Sequence, residues 1–437
     1  MQIINGFSKL NRKEKIELLK KYLPLDIHQI RLLTAANEDF KQFEGVIEKL
    51  SENYISNFIL PFSIVPNFLI NGKLYFVPMV TEESSVVAAT AFAAKFWSDK
   101  GGFKTRLIGT KKNGQIYFTW KGDIKKIQKK FPVLREKLMA SAEHLMVNMK
   151  KRGGGITDMT LSTEHLVKSG YYIINVGFET ADSMGANIIN SCLEAMKTEL
   201  ISLSKNNFID SGGELEIIMA ILSNYTPDCL AECEIECDIN QLSRISGNLS
   251  PVQFAGKFEK AVQIAHEDIS RAVTHNKGIF NGIDAVLLAT GNDLRAVEAG
   301  GHAYATRDGK YTALTDIEIS GNRFRYILRM PLSLGTVGGS TSTLPLAGLA
   351  LQIMQNPSAK ELMQIVVSVG IASNFAAIRS LITDGIQKGH MKLHLSNILY
   401  KFNASDIEKN RVEEHFKNKQ ITYRQVSDFL SRFRETT

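Results

Sequence analysis

The order of apolar and polar positions divides the chain into helices and strands before any chemistry is considered. Ile16, Leu18, Leu19 and Leu23 recur at helical spacing behind the polar stretch from Ser8 to Glu14, which predicts an amphipathic helix with Asn11 as its N-cap and more helix through Leu50. From Phe62 to Val77 the pattern is that of strand, with Asn71-Gly72 as a hairpin turn between Phe68-Leu69-Ile70 and Leu74-Tyr75-Phe76-Val77. Thr81 to Ala89 reads as a turn capping a helix of small residues that runs to Trp97. Further on, Gln115 to Trp120 is a strand, a Lys-rich helix follows, and Gly153-Gly154-Gly155 breaks the chain. A strand from Tyr171 to Phe178 then leads through Asp182 to Asn187 into a helix reaching Leu203. Cys233, Ile235, Cys237 and Ile239 alternate with Glu234, Glu236 and Asp238, the period of a half-buried strand. Arg325 to Pro331 is another strand, ending in Ser333 to Gly339, where closely spaced glycines let backbone approach backbone or ligand.

This order predicts an α/β (α+β) fold. The succession strand, helix, strand, strand, helix marks a small ferredoxin-like domain inserted into a larger mixed helical and sheet domain. The expected boundaries are 1–108 for the first part of the large domain, 109–215 for the insert, 216–380 for the second part of the large domain and 381–437 for a helical, charged C-terminal flap. On this reading Glu214 to Ser223 is where the large domain resumes.

Composition narrows the class without choosing a function. Apolar residues at 44% and charged residues at 22% of 437 are those of an ordinary soluble globular chain. The net charge of +7 is small for this length, and the basic runs at Lys111-Lys112, Lys121 to Lys130 and Lys150 to Arg152 lack interleaved aromatics, as solvated helix faces do. Such runs suit a polyphosphate or a nucleic acid equally, so a basic RNA- or polyphosphate-binding protein is the rival reading. Met1 to Ser8 contains no secretory apolar core, and the window Phe58 to Ile70 is broken by Pro61 and Pro66, so a cytoplasmic protein without a membrane partner is expected. Cys229, Cys233 and Cys237 have no second pair at zinc-ligand spacing, so reduced, packed thiols and no metal are expected.

Chemistry is concentrated between Arg271 and Ala305, where Lys277 and Asp293 bracket an apolar run. A lysine used as an electrophilic catalyst needs low-polarity surroundings that strengthen its field and a carboxylate that keeps it charged and aimed. Taken singly, Lys277 between Asn276 and Gly278 reads as a surface turn lysine, and Asp293 reads as the N-cap of the helix running to Ala305. Glu82-Glu83 reads as a pair of first-turn carboxylates. His390, between Gly389 and Met391, is either part of a helix C-cap or a proton donor delivered on a glycine-flanked arm.

These places, in this chain order, resemble 3-hydroxy-3-methylglutaryl-coenzyme A reductase of the soluble, bacterial-type class. The matching segments are Val80-Thr81-Glu82-Glu83-Ser84-Ser85-Val86-Val87-Ala88-Ala89, Asp182-Ser183-Met184-Gly185-Ala186-Asn187, His275-Asn276-Lys277-Gly278, Gly291-Asn292-Asp293, and Gly385-Ile386-Gln387-Lys388-Gly389-His390-Met391. The resemblance implies a four-electron reduction of the thioester to mevalonate and coenzyme A with two hydrides from NADPH or NADH. It assigns Lys277 to the oxyanion, Asp293 to the lysine as its hydrogen-bonding partner, Glu83 to protonation of the aldehyde oxygen and His390 to the leaving thiolate. Ser85, Arg271 and Asn281 fall at substrate-contacting positions. Asp182, Met184, Gly185, Ala186 and Asn187, with Gly154 and Gly155, fall at the dinucleotide. The family also implies a homodimer with its active site at the subunit boundary. Mevalonate oxidation by the same enzyme is the alternative direction. Asp158 and the basic residues near it bear on the choice between a free ribose and a 2′-phosphate.

The chain departs from the family pattern at Ser183 and Ser84, where alanine and proline are usual, and in the segment Glu52 to Ser56. Ser8 stands where some members place an arginine for coenzyme A, with Lys9 and Arg12 close by.

Overall fold

The computed structural model describes residues 2–34, 44–163, 170–210, 212–383, 385, 395, 398–416 and 422–435. Asn11 begins the first long helix, α1 (Arg12–Tyr22). Its side chain accepts the Glu14 N–H at 3.0 Å while the Glu14 carboxylate accepts the Asn11 N–H at 2.8 Å, a reciprocal cap that satisfies two orphan donors. A second helix, α2 (Ile27–Thr34), follows. β1 (Phe62–Ile70) and β2 (Lys73–Val80) form the expected hairpin, closed by Asn71 and Gly72, both at positive φ as a two-residue turn between twisted strands requires. Small residues then form α3 (Ser84–Ser98).

The chain continues through β3 (Lys104–Leu107), β4 (Lys112–Lys121), α4 (Ile124–Ala142), β5 (Gly155–Ser162), β6 (Tyr171–Glu179), α5 (Ala186–Lys205), β7 (Glu214–Ser223) and β8 (Leu230–Asp238). Three helices come next, α6 (Pro251–Glu267), α7 (Ile269–Thr290) and α8 (Leu294–Tyr304), then β9 (Thr315–Ser320) and β10 (Arg323–Pro331). α9 (Pro345–Ile353), α10 (Ala359–Ile382), α11 (Asp406–Phe416) and α12 (Tyr423–Glu435) complete the order.

One four-stranded sheet is antiparallel, in the order β3-β8-β10-β9. The cysteine alternation sets its two faces. Cys233, Ile235 and Cys237 are buried, whereas Glu232, Glu234 and Glu236 form cross-strand ion pairs with Arg106 and Arg329, with Arg325, and with Lys104 and Arg323 respectively. Burial pushes the Cys237 thiol up to about 12, as expected of a packed, reduced cysteine. The covered face carries an aromatic cluster of Trp97, Phe258, Phe324 and Phe375. α10 runs through this core beside α7. It is long and apolar enough to cross a membrane but is mostly buried inside the protein, and it is a stronger apolar segment than Phe58 to Ile70. α7 and α10 approach closely because Gly282 has no side chain: a Cβ there would lie 2.8 Å from the Ser373 Cβ.

A second antiparallel sheet, ordered β5-β6-β4-β7, has its own core with α4 and α5, built on Ile116, Phe118, Leu134, Ile174 and Leu193. Glu214 to Ser223, expected to reopen the large domain, is instead the fourth strand of this sheet, paired with β4 from Asn113↔Ser223 to Lys121↔Glu214. The expected boundary at 215 therefore cuts a strand. The physical reason is that β4 would otherwise present an open edge of unpaired N–H and C=O groups. α11 and α12 enclose a separate small core that includes Val412, Phe416, Val426 and Leu430.

Candidate active site

Glu83 is placed by the junction of β2 and α3. It is the half-buried N-cap residue of α3, its N–H donates to Thr81 Oγ1 at 3.2 Å, and its carboxylate accepts the Ser85 hydroxyl. Two of the expected site residues thus meet on one helical turn. Next to them Glu82 and Ser84 line a cleft of about 750 Å³, whose other walls include Ser8, Arg12, Lys15, Phe92 and Lys95. Lys95 was not anticipated, because a single lysine in a helix of small residues has no local signature.

Lys277 is held from behind. Read locally it is a turn residue, but it lies inside α7, where the two residues before it are buried anchors. His275 Nε2 is 2.6 Å from Thr315 Oγ1, and the His275 carbonyl accepts Asn374 Nδ2 at 2.7 Å. Asn276 Nδ2 donates to Thr312 O at 2.9 Å and to Tyr311 Oη at 3.1 Å, while its Oδ1 accepts the Leu314 N–H at 3.0 Å. Burial pushes His275 down to about 3, helped by the nearby Arg271 and His266, so the ring is neutral at ordinary pH. Lys277 itself is exposed, and Asn281 lies one turn further on the same stripe, half-buried. This stripe also carries the exposed apolar residues Val273 (49%) and Leu288 (40%).

Arg271 does not share that face. At ~100° per residue it sits about 120° around the helix from Lys277, half-buried on the side of His275 and Tyr326. Burial lowers its pKa from the usual guanidinium value. Asp284, another turn along the Lys277 stripe, meets Glu298 of α8. Burial and the Glu298 charge push the Asp284 carboxyl up to about 8, and its Oδ1 has no hydrogen-bond partner among the described residues.

Asp293 is the N-cap of α8, as its local sequence reads, accepting the N–H groups of Arg295 at 3.1 Å and Ala296 at 3.2 Å. It follows the end of α7, and the helical rise from Lys277 to Thr290 is about 20 Å. Lys277 and Asp293 of one chain are therefore not brought together. What does reach Asp293 is the loop after β10. Asn292 Oδ1 accepts the Gly335 N–H at 2.9 Å, and Thr336 N–H donates to the carbonyl of Asp182 at 2.8 Å. The part Asn292 plays in holding this loop was not read from the sequence, and only the folded loop reveals its bond to Gly335.

The turn Asp182 to Asn187 thus lies against the Asp293 end of α7. Gly185 is the N-cap of α5 at φ +96°, and a Cβ there would lie 2.6 Å from Thr180 Cγ2, so only glycine fits without strain. Met184 precedes it, and Ala186 and Asn187 open a 20-residue helix that has no side-chain cap on its first amide donors. Gly155 pairs with Glu179, the last residue of β6 before the chain enters this turn through Thr180 and Ala181, and a Cβ on Gly154 would lie 2.5 Å from the Glu179 carbonyl oxygen. The two glycines and the turn form one small-residue ledge that fits a pyrophosphate. Asp182 Oδ1 accepts the Ala359 N–H at 2.9 Å, which ties this turn to the first residue of α10. Asp158 takes Lys111 at 3.5 Å and the Thr157 hydroxyl at 2.8 Å. His390 lies outside the described residues. Among the described residues no group of three or more His, Cys, Asp or Glu side chains is placed to hold a metal ion.

Comparison with known proteins bears on this geometry. The family profile described as Hydroxymethylglutaryl-coenzyme A reductase matches residues 11–395. A probable 3-hydroxy-3-methylglutaryl-coenzyme A reductase of Borreliella burgdorferi is 38% identical over 94% of this chain and 91% of its own length. The 3-hydroxy-3-methylglutaryl-coenzyme A reductase of Archaeoglobus fulgidus is 34% identical over 94% of this chain and 90% of its own. Among solved structures, the class II reductase of Streptococcus pneumoniae bound to NADPH in open conformations superposes with a TM-score of 0.79 at 37% identity, covering 87% of this chain and 99% of that one.

Proposed function

Because the chain belongs to the hydroxymethylglutaryl-coenzyme A reductase family, we propose that its active site is shared between two copies, with Lys277 of one meeting Asp293 of the other. The enzyme reduces 3-hydroxy-3-methylglutaryl-coenzyme A to mevalonate and coenzyme A, consuming two NAD(P)H and two protons. One observation carries the arrangement: the hydrogen bonds through Thr336, Gly335 and Asn292 tie the dinucleotide turn to Asp293, while Lys277 stands about 20 Å away along the helix. The exposed stripe of Val273, Lys277 and Leu288 is the surface a second copy covers.

The residues then divide the work. The small unit, 112–223, is the cofactor domain, and its ledge at Gly154, Gly155 and Met184 to Asn187 holds the dinucleotide, which supplies hydride when bound. Lys277 stabilises the negative charge that develops on the carbonyl oxygen as hydride reaches the carbon, and Asp293 of the second copy orients it. Asn281 positions the same oxygen. Ser85 fixes the Glu83 carboxyl, which protonates the aldehyde oxygen in the second reduction. The cleft beside Glu82 and Ser84, with Arg12, Lys15 and Lys95 along it, admits the coenzyme A arm, and these cations do the work of the arginine replaced by Ser8. His390, on the flap 381–437, protonates the departing thiolate. The protein works in the cytoplasm, with the apolar α10 spent on its own core.

The test is spectrophotometric. The purified protein is expected to oxidise NADPH or NADH only when the thioester is present, releasing one thiol per two cofactors. Oxidation without thioester dependence, or a one-to-one ratio, contradicts the reading.

A further inference from the structure

Lys112 is a cation buried where nothing in the reaction described above uses it. It opens β4, is 5% exposed, and its ammonium reaches Thr180 Oγ1 at 2.6 Å, the Ser183 carbonyl at 2.7 Å and the Leu334 carbonyl at 3.5 Å. A lysine ammonium has three hydrogens and no lone pair to offer, so these three oxygens suit its charged form. None of the three is a carboxylate. The nearby Glu179 carboxylate accepts the Thr110 hydroxyl and the Ala181 N–H at 3.2 Å, and Asp182 Oδ1 is taken by Ala359. A buried charge without a contacting counter-ion is costly, so what its three contacts hold in place bears on its role.

Those contacts lead to the start of α5. Thr180 and Ser183 belong to the turn that ends at Gly185, where the Gly185 N–H donates to Ser183 Oγ at 3.1 Å and α5 begins. Leu334 belongs to the loop whose Gly335 bonds Asn292 and whose Thr336 bonds Asp182. Lys112 therefore clips together the turn before α5 and the loop that bonds Asn292. Burial lowers its pKa, the nearby Glu179 and Asp182 charges oppose that, and three oxygens accept from its charged form beside the start of the helix. Low-polarity surroundings strengthen the field of that charge.

We infer that Lys112 is a positioning residue for the dinucleotide, acting through the Thr180–Gly185 turn and by its buried charge on the pyrophosphate without touching it. The inference rests on the reading that the start of α5 holds the dinucleotide. Removing the ammonium is compatible with folding, because the Ser183 carbonyl keeps the Thr180 hydroxyl, which donates to it at 2.6 Å.

The experiment measures NADPH affinity by energy transfer from protein fluorescence, alongside the KM of the thioester. Lys112→Met is expected to weaken NADPH binding about ten-fold or more while the thioester KM stays within about two-fold. Lys112→Gln keeps a donor for the turn but no charge, and is expected to show the same loss; it serves where the methionine variant does not fold. A neutral variant that binds NADPH as the parent does, or that loses both ligands equally, overturns the role. A parent protein that does not bind NADPH at all refutes the functional reading instead.

Discussion

At the scale of single residues, Lys277 and His275 are placed in opposite ways on α7. Lys277 is exposed and makes no contact on which the core depends, so Lys277→Ala is expected to keep the parent melting temperature. Its turnover should fall by about 10²–10³ or more, the loss typical of removing one preorganised oxyanion donor. Steady-state cofactor oxidation checks it, and near-normal turnover rejects the assignment. His275 does the reverse, buried and neutral behind the helix. Asp284 gives a pH prediction. Its carboxyl titrates near 8 when folded, against an ordinary value of 3.8. Across that window the folded chain holds a proton that the unfolded chain has released, so stability falls as pH rises and levels off above it. Asp284→Asn removes the penalty: its gain in melting temperature should be largest at about pH 8 and vanish near pH 4. An equal gain at both pH values excludes this cause.

At the scale of elements, local pattern predicted the Asn71-Gly72 hairpin, the Asn11 cap and the cysteine-glutamate strand, because each depends on neighbours in sequence. Two readings failed for the opposite reason. Lys277 between Asn276 and Gly278 has turn chemistry, but His275 and Asn276 find buried partners in the segment 311–315 and on α10, and those contacts keep the helix running. Glu214 to Ser223 is a clear strand whose partner is the free edge of β4, with pairings that run from Asn113↔Ser223 to Lys121↔Glu214 and that no local window contains. The turn before α5 was legible as a motif, and its constraint is now physical. Gly185→Ala places a methyl 2.6 Å from Thr180 Cγ2 in a backbone conformation that alanine resists. It is expected to raise the KM for NAD(P)H about ten-fold or more while leaving the thioester KM nearly unchanged. Parallel titrations of the two substrates check it, and an unchanged cofactor KM contradicts the placement of the ledge.

At the scale of the whole molecule, catalysis requires two copies if Lys277 and Asp293 act together. Lys277→Ala and Asp293→Ala are each expected to be nearly inactive alone. Mixed and refolded together, they should form hybrids in which one of the two sites has both residues intact, recovering about a quarter of parent activity at equal mixing. No recovery in verified hybrids contradicts a shared site. Leu288→Glu, which puts a charge on the exposed stripe, is expected to shift the protein to monomer by light scattering and to abolish turnover with it. The sequence by itself determined the α/β class, most element positions and the residues that match the family, because hydrophobic period, turn chemistry and short motifs are carried by neighbouring residues. Only the tertiary structure decided that β7 pairs with β4 in the second sheet, that Asp182 bonds the start of α10, that Arg271 sits about 120° around α7 from Lys277, and that Asn292 bonds the loop after β10. Each of those depends on a hydrogen bond or a helix face shared by segments far apart in the chain, where distance and direction exist only after the core has packed.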